Sequence, residues 1–314
     1  MLNELQMAAR ADVERRIASG EYAFEPVSCP VCDEWAFEPL AEKDRYGLYM
    51  PVVICTVCGL VQTNPRMTTQ SYEAFYRREY RRLYDGTESA TEDFFRNQYR
   101  KGARIHDRLV SSGLLRLLRG RYVLEVGCGA GGILQYFKEP GWRVRGIDPG
   151  ADYVRFGRER GLDLSAGTLA SIAFDEKPDL VIYADVFEHL TDPNAELRRL
   201  HTLLPDDAAV YVEVPGIGDI GRRYDGDILL YLQNAHVYHF TLSSLTNLVV
   251  RNGFTVLGGT HEVACIFRKA NPGAPAGMIR NDFQETHTLL RTLERDKISS
   301  FLAQYAGRRN DSAE

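Results

Sequence analysis

Three groups of residues in this sequence have the type and spacing to do chemistry. The first is a pair of cysteine knuckles, Cys29-Pro-Val-Cys32 and Cys55-Thr-Val-Cys58-Gly59. Each C-x-x-C bends so that two thiolates face one ion. Two such pairs about twenty residues apart close a tetrahedron around zinc. Four thiolates leave no open coordination position, so the expected role of the ion is structural: it stabilises a small lobe with little core of its own. Redox chemistry is the competing use of a lone C-x-x-C, and a second knuckle at this spacing argues against it. The second group is Glu125-Val-Gly127-Cys128-Gly129-Ala-Gly131-Gly132, followed later by Asp148-Pro149. Glycines let the backbone take positive φ and let a ligand approach the main chain. A carboxylate about twenty residues past them is placed to accept hydrogen bonds from ribose hydroxyls. The third group is histidine: His236 and His239 in one segment, and His189 in Phe187-Glu188-His189-Leu190-Thr191-Asp192-Pro193. Histidine is the usual proton acceptor near neutral pH.

The glycines need a strand before them and a helix after them. Tyr122 to Val126 is a short apolar run suited to a buried parallel strand, and Ile133 to Phe137 restores helical spacing. Val144 to Ile147 is a second strand ending on Asp148, with a helix over Tyr153 to Arg160. Asp179 to Asp185 is a further uninterrupted strand. Glu196 to Leu204 has helical spacing, and Ala208 to Val214 reads as a fifth strand ending at Pro215-Gly216. This alternation predicts an open, mostly parallel α/β sheet, which binds ligands at the carboxyl ends of its strands.

The glycine spacing separates two cofactor classes. Dinucleotide enzymes want G-x-G-x-x-G, and a pyrophosphate wants the helix N-terminus free of negative charge. Here Glu125 precedes Gly127-x-Gly129-x-Gly131. That arrangement resembles motif I of class I S-adenosylmethionine (SAM) methyltransferases, whose ligand carries a sulfonium and an ammonium and tolerates a carboxylate. The acidic end of the second strand, the F-E-H-L-x-D-P loop and Val214-Pro215-Gly216 follow in the order of that family. The resemblance covers roughly Tyr122 to Gly216. It implies cofactor contacts from Glu125, Gly127, Cys128, Gly129, Gly131, Asp148, Pro149, Thr168, Leu169, Asp185 and Val186.

The cysteine knuckles narrow the resemblance to sugar methyltransferases of natural-product and surface-polysaccharide biosynthesis, in which a zinc lobe precedes the methyltransferase domain. The sugar C-3 methyltransferases among them carry Y-x-x-H-E-H-x-S-Y-F. The corresponding segment here runs from Tyr231 to Thr241: the proposed base of that pattern falls on His236, but Asn234 and Ala235 replace the first histidine and the glutamate. The carry-over is partial, so oxygen and carbon both stay open as the atom methylated. His236 is the first choice as base and His239 the second. Tyr238 is a candidate to hold the substrate, and His189 is read as capping or orienting a helix. Those C-methyltransferases also carry a further C-terminal α/β domain. Here a Pro/Gly/Ala stretch from Asn271 to Gly277 precedes one amphipathic helix, Phe283 to Tyr305, suited to packing on the body or making a homodimer.

The expected layout is therefore an N-terminal helix and zinc-ribbon lobe over residues 1–66, a helical connector over 67–118, a Rossmann-like methyltransferase sheet over 119–270, and a linker with C-terminal helix over 271–314. The connector interleaves Tyr72, Phe75, Tyr76, Tyr80 and Tyr84 with Arg77, Arg78, Arg81 and Arg82, and breaks near Asp85-Gly86-Thr87. It reads either as a lid offering arginines to an anionic substrate or as a connector packing its aromatics inward. The expected acceptor is a small molecule, a sugar hydroxyl or nucleotide-linked sugar. RNA base methylation is the alternative, and a silent scaffold the third reading. A formal net charge of −5 over 314 residues disfavours a dedicated nucleic-acid binder. No apolar run reaches the ~20 residues that cross a bilayer. The charged stretch Met1 to Ser19 lacks the apolar core of a signal peptide, so a cytoplasmic protein is expected.

Overall fold

The computed structural model describes residues 2–173, 175–270 and 279–310. The chain opens on α1 (Glu4–Ala18), started by a capping box in which Asn3 and Gln6 satisfy each other's amides. The lobe follows as β1 (Phe24–Glu25), β2 (Phe37–Lys43), β3 (Tyr49–Cys55), β4 (Val61–Thr63) and β5 (Arg66–Met67). β2, β3 and β4 form an antiparallel ribbon, and β1 pairs with β5. β3, which ends at Cys55 of the second knuckle, buries Met50, Val52 and Ile54 at alternate positions as a half-buried strand should.

The connector comprises α2 (Thr69–Arg78), α3 (Tyr80–Tyr84) and α4 (Glu92–Ser111). Thr68 and Thr91 cap α2 and α4 through their hydroxyls. The break between α3 and α4 falls at Asp85-Gly86-Thr87, as the sequence predicts. The main domain begins with β6 (Tyr122–Val126), buried throughout. It continues through α5 (Gly132–Lys138), β7 (Arg143–Asp148), α6 (Ala151–Arg158), β8 (Leu164–Ala166), β9 (Leu180–Ala184), α7 (Pro193–Leu203) and β10 (Ala209–Glu213). Two short helices, α8 (Ile220–Arg223) and α9 (Ile228–Tyr231), lead to β11 (Tyr238–His239). The chain then runs through α10 (Leu242–Arg251), β12 (Phe254–Gly259) and β13 (Ala264–Lys269), and α11 (Phe283–Asn310) is the last helix. The stretch from Asn271 to Gly277, read above as a linker, lies outside the described residues.

The seven-stranded sheet has the order β8-β7-β6-β9-β10-β13-β12. Its first five strands are parallel and β13 and β12 are antiparallel. This is the expected Rossmann-like α/β sheet. The order reverses between β6 and β9, so their carboxyl ends open a crevice at the switch point. Gly127 and Asp185 stand there.

One pairing had no signal in the sequence. β11 joins the lobe ribbon, giving the order β11-β4-β3-β2, with Tyr238 opposite Gln62 and His239 opposite Val61. The segment carrying the candidate bases is thus an edge strand of the cysteine lobe. One apolar core runs through both parts: Cys29, Cys58 and Leu60 share it with Val126, Val212 and Phe240. α11 lies against the ribbon, burying Leu290 among Met50, Val52 and Ile54, with His287 3.0 Å from Glu38. Among the described residues, no helix is long and apolar enough to cross a membrane.

Candidate active site

The crevice is lined first by backbone. After β6 the chain turns through Gly127, Gly129 and Gly131, all at positive φ, and α5 begins at Gly132. A Cβ on Gly127 would run into Cγ2 of Val186, so this turn accepts only glycine. Asp148, at the end of β7, accepts from the Gly129 amide at 2.8 Å and from the Gly150 amide at 2.7 Å. Its carboxylate braces the turn, with lone pairs to spare. Burial raises its pKa, and the nearby Arg81 guanidinium opposes that rise. Arg81 lies 4.0 Å over the Tyr153 ring and 2.9 Å from Asp85, so it serves the cradle from α3. Gln98 of α4 grips the same turn: it donates to the Cys128 carbonyl at 2.9 Å and accepts from the Gly132 amide at 3.2 Å. Pro149 follows Asp148. Thr168 is exposed, with its amide on Ser171, and Leu169 is buried.

Four carboxyl groups gather around one lysine beyond this turn. Lys101 of α4 lies 2.6 Å from Asp185 and 3.4 Å from Glu213. Burial works against its charge, but those carboxylates hold its pKa above the ordinary value. Asp185 is one of the few non-glycine residues at positive φ, a conformation that costs energy and aims its side chain at Lys101. Glu125 and Glu188 are both 1% exposed. Oε2 of Glu125 and both carboxyl oxygens of Glu188 have no hydrogen-bond partner among the described residues. Burial pushes both pKa values well up. A buried carboxyl in this condition stays neutral until a cation arrives. The pocket is therefore built to receive positive charge.

The histidines form a row. The rings of His189 and His236 are 4.8 Å apart and those of His236 and His239 are 5.9 Å apart. His236 and His239 are buried and His189 is half-buried, and this desolvation lowers each pKa: His189 to about 4, His239 to about 3, and His236 well below its ordinary value. At neutral pH they are uncharged. Neither nitrogen of His239 has a partner among the described residues. It borders a cavity of about 320 Å³, otherwise lined mainly by apolar side chains including Ile217, Leu232 and Leu290. Tyr238, a candidate to hold substrate, has its hydroxyl 3.2 Å from the Arg66 guanidinium, which donates to it.

The reading of His189 as a helix cap needs correcting. Asp192 caps α7, accepting from the Ala195 amide at 2.8 Å with Pro193 in the first turn. That explains the D-P of the motif, and His189 points instead at His236. The connector's aromatics close around it: Tyr76 and Tyr80 meet its ring edge-on, and the Tyr76 hydroxyl lies 2.8 Å from its Nδ1. The connector therefore both packs inward and borders the site. Arg78 pairs with Glu21, and Arg82 lies 3.5 Å from Asp12.

The cysteines converge as their spacing predicts. Sγ of Cys29 and Cys58 are 3.4 Å apart, and Sγ of Cys32 and Cys55 are 3.5 Å apart. All four sulfurs fall within 4.8 Å of one another. Thiol–thiol hydrogen bonds pull the Cys55 pKa down and push those of Cys29 and Cys58 up. Four thiolates this close need a cation to be charged together, so the donor set fits a tetrahedral metal. Gly59 closes the second knuckle, where a Cβ would strike the Asp282 backbone at 2.7 Å.

Sequence reasoning missed Gln98, Lys101, Tyr76 and Glu188. The first three lie far from the motifs in sequence and have no spacing to betray them. Glu188 stood inside a motif read for its neighbours.

Residues 95–258 match the methyltransferase-domain family, more than half of the chain. The protein belongs to that family, and its sheet and glycine turn are those of the class I, SAM-dependent type. It is 28% identical to the C-methyltransferase NovU of Streptomyces niveus over 147 residues, 45% of this chain and 34% of that protein. It is 33% identical to a ubiquinone biosynthesis O-methyltransferase of Bradyrhizobium sp. (strain ORS 278) over 96 residues, 29% of this chain and 38% of that one. The matched region spans well under half the length of each of these two relatives. A SAM-dependent methyltransferase from Clostridium acetobutylicum superposes with a TM-score of 0.43 at 9% identity, covering 64% of this chain and 99% of that one.

Proposed function

We propose that this protein transfers a methyl group from SAM to a small molecule, a hydroxyl of a sugar or nucleotide-linked sugar, with a buried histidine as base. The observation that carries the cofactor is the pocket itself. A glycine turn with no room for side chains lies beside a braced Asp148 and an orphaned Glu125 carboxyl. Asp148 would hold the ribose hydroxyls and Glu125 the ammonium. Bound SAM supplies an electrophilic methyl on a sulfonium. The remaining work belongs to the chain: the carboxylates hold positive charge away from water, and the connector closes the crevice. His236, or His239 from the cavity side, takes the hydroxyl proton as the oxygen–methyl bond forms. Positioning supplies much of the acceleration.

The sugar assignment is supported by the cysteine lobe before the sheet and by His236 in the Tyr231 to Thr241 segment, the two features that resemble sugar methyltransferases. We infer structural zinc at Cys29, Cys32, Cys55 and Cys58, because four convergent thiols fit its tetrahedral geometry. A cytoplasmic location suits six cysteines that form no disulfide. The outer part of α11 exposes Ile298, Phe301 and Leu302, which suits a homodimer contact.

Calorimetric titration with SAM and S-adenosylhomocysteine, beside an Asp148→Ala control, tests the reading. Micromolar binding that weakens at least tenfold in the control is the expected result. Folded protein that binds neither ligand would exclude methyl transfer.

A further inference from the structure

The pocket holds a second set of metal donors. Glu188 and His189 are neighbours in the turn Phe187–His189, and His236 approaches from the segment before β11. One donor atom from each lies within 4.8 Å of the others. Two backbone-anchored hydrogen bonds lock the segments together. The Val237 amide donates to the Glu188 carbonyl at 2.7 Å, and His189 Nδ1 lies 3.0 Å from the Ala235 carbonyl.

Those contacts assign the tautomer of His189. A carbonyl only accepts, and an Nδ1 lone pair 3.0 Å from it would be repelled, so Nδ1 carries the hydrogen. The Tyr76 hydroxyl is then free to donate to the same carbonyl, 3.4 Å away. Nε2 keeps its lone pair, and it faces Oε1 of Glu188 at 3.7 Å. The two atoms stand too far apart for a hydrogen bond, and neither carboxyl oxygen of Glu188 has a partner among the described residues. Such a buried, unpartnered carboxyl is open to a ligand, and a bound cation would displace its proton. A histidine that gives its Nδ1–H to a carbonyl and its Nε2 to an ion is the common arrangement at metal centres.

We propose that Glu188, His189 and His236 bind a first-row divalent transition cation, at a site distinct from the four cysteines. Two imidazoles and one carboxylate suit such ions and leave coordination positions open. Donors each about 2.1 Å from one ion stand roughly 3–4 Å apart. Small side-chain rotations close the observed spacing. The site lies between the SAM crevice, marked by Asp185 three residues earlier, and the cavity that His239 borders.

Its use rests on the methyltransferase reading. An acceptor hydroxyl on an open position would lose its proton more readily, as metal-bound water does. That proton passes to His239, since His236 is engaged. The oxygen then bonds the methyl carbon as the sulfur–carbon bond breaks, and sulfur leaves with the electron pair as a neutral thioether.

The test is metal content and cobalt titration of the full chain. Zinc-loaded wild type is titrated with Co²⁺ in parallel with Glu188→Gln and His236→Gln. The expected result is one further ion per chain in wild type, beyond that held by the cysteines. Its absorption should lack thiolate charge-transfer bands, and its affinity should fall at least tenfold in each variant. A cobalt-loaded cysteine site, read by those same bands, reports that the variants remain folded. No further ion in wild type overturns the proposal, as does a further ion bound equally well by both variants. SAM calorimetry on the same samples separates the two readings. A second ion without SAM binding leaves the site standing and removes its role. SAM binding without a second ion keeps the methyltransferase reading and overturns the metal site.

Discussion

The two donor clusters of this protein are built in opposite ways. The cysteine cluster comes from two tight knuckles 23 positions apart at their inner residues, Cys32 and Cys55. Its four sulfurs would fill a tetrahedral ion's coordination by themselves. The Glu188–His189–His236 cluster joins residues 47 and 48 positions apart, from the turn after β9 and the segment before β11. It is incomplete by itself and opens toward the cofactor crevice. The first is assembled by local turns; the second is assembled by the fold. The link between them is β11, which pairs with β4 in the register that places His239 opposite Val61. The lobe thus sets the position of the site's histidine segment.

Breaking the closed cluster should give the largest effect. Cys55→Ser removes a thiolate from the proposed zinc site, and structural zinc sites of this kind bind with on the order of 10 kcal/mol. Zinc content should fall, the melting temperature should drop sharply, and acceptor turnover should fail before SAM binding does. An unchanged melting temperature with no bound zinc would show that the apolar core alone holds the lobe.

Gly127→Val attacks the cradle from within. It combines a clash against Val186 with backbone strain of roughly 1–3 kcal/mol. SAM affinity should fall about a hundredfold (roughly 2–3 kcal/mol) while the circular dichroism spectrum is kept. Retained affinity would mean that the turn yields.

Lys101→Met should cost about 3 kcal/mol in urea unfolding, because Asp185 and Glu213 lose their buried counter-ion. A neutral result would show those carboxylates to be hydrated.

The subtlest test concerns Glu125. Burial raises its pKa in the empty protein. The folded state therefore binds a proton more tightly than the unfolded state, and its contribution to stability, full at low pH, is lost as pH rises through the folded value. Glu125→Gln should flatten that decline in the SAM-free protein. If the ammonium of SAM ionises the carboxyl, binding to wild type should release a proton and strengthen as pH rises up to that value. Calorimetry in buffers of different ionisation enthalpy reads the proton directly; identical enthalpies in all buffers would remove the ammonium from Glu125.

Much of the sheet was legible because buried parallel strands are apolar runs. The apolar runs Tyr122 to Val126 and Asp179 to Asp185 agree with β6 and β9 within a residue at each end. The glycine turn was legible because only glycine fits beside Val186. Tyr76, Gln98 and Lys101 were not legible. Each lies on a helix whose spacing reports only which face is apolar, and their partners stand 30 or more positions away. The reading of His189 as a helix cap or orienter differs from the structure, where Asp192 is the cap, because both residues precede the same helix in one short loop.

The sequence by itself determined what depends on local geometry: the knuckles, the glycine turn, the acidic end of β7 and the alternation that makes an α/β sheet. These follow from bond angles, backbone sterics and hydrophobic periodicity within short windows. Only the tertiary structure decided what depends on distance. It paired β11 with the cysteine lobe, turned His189 toward His236, and left Glu188 buried with neither carboxyl oxygen satisfied. Register across a sheet and burial of a single carboxyl are set by the packing of residues far apart in the chain.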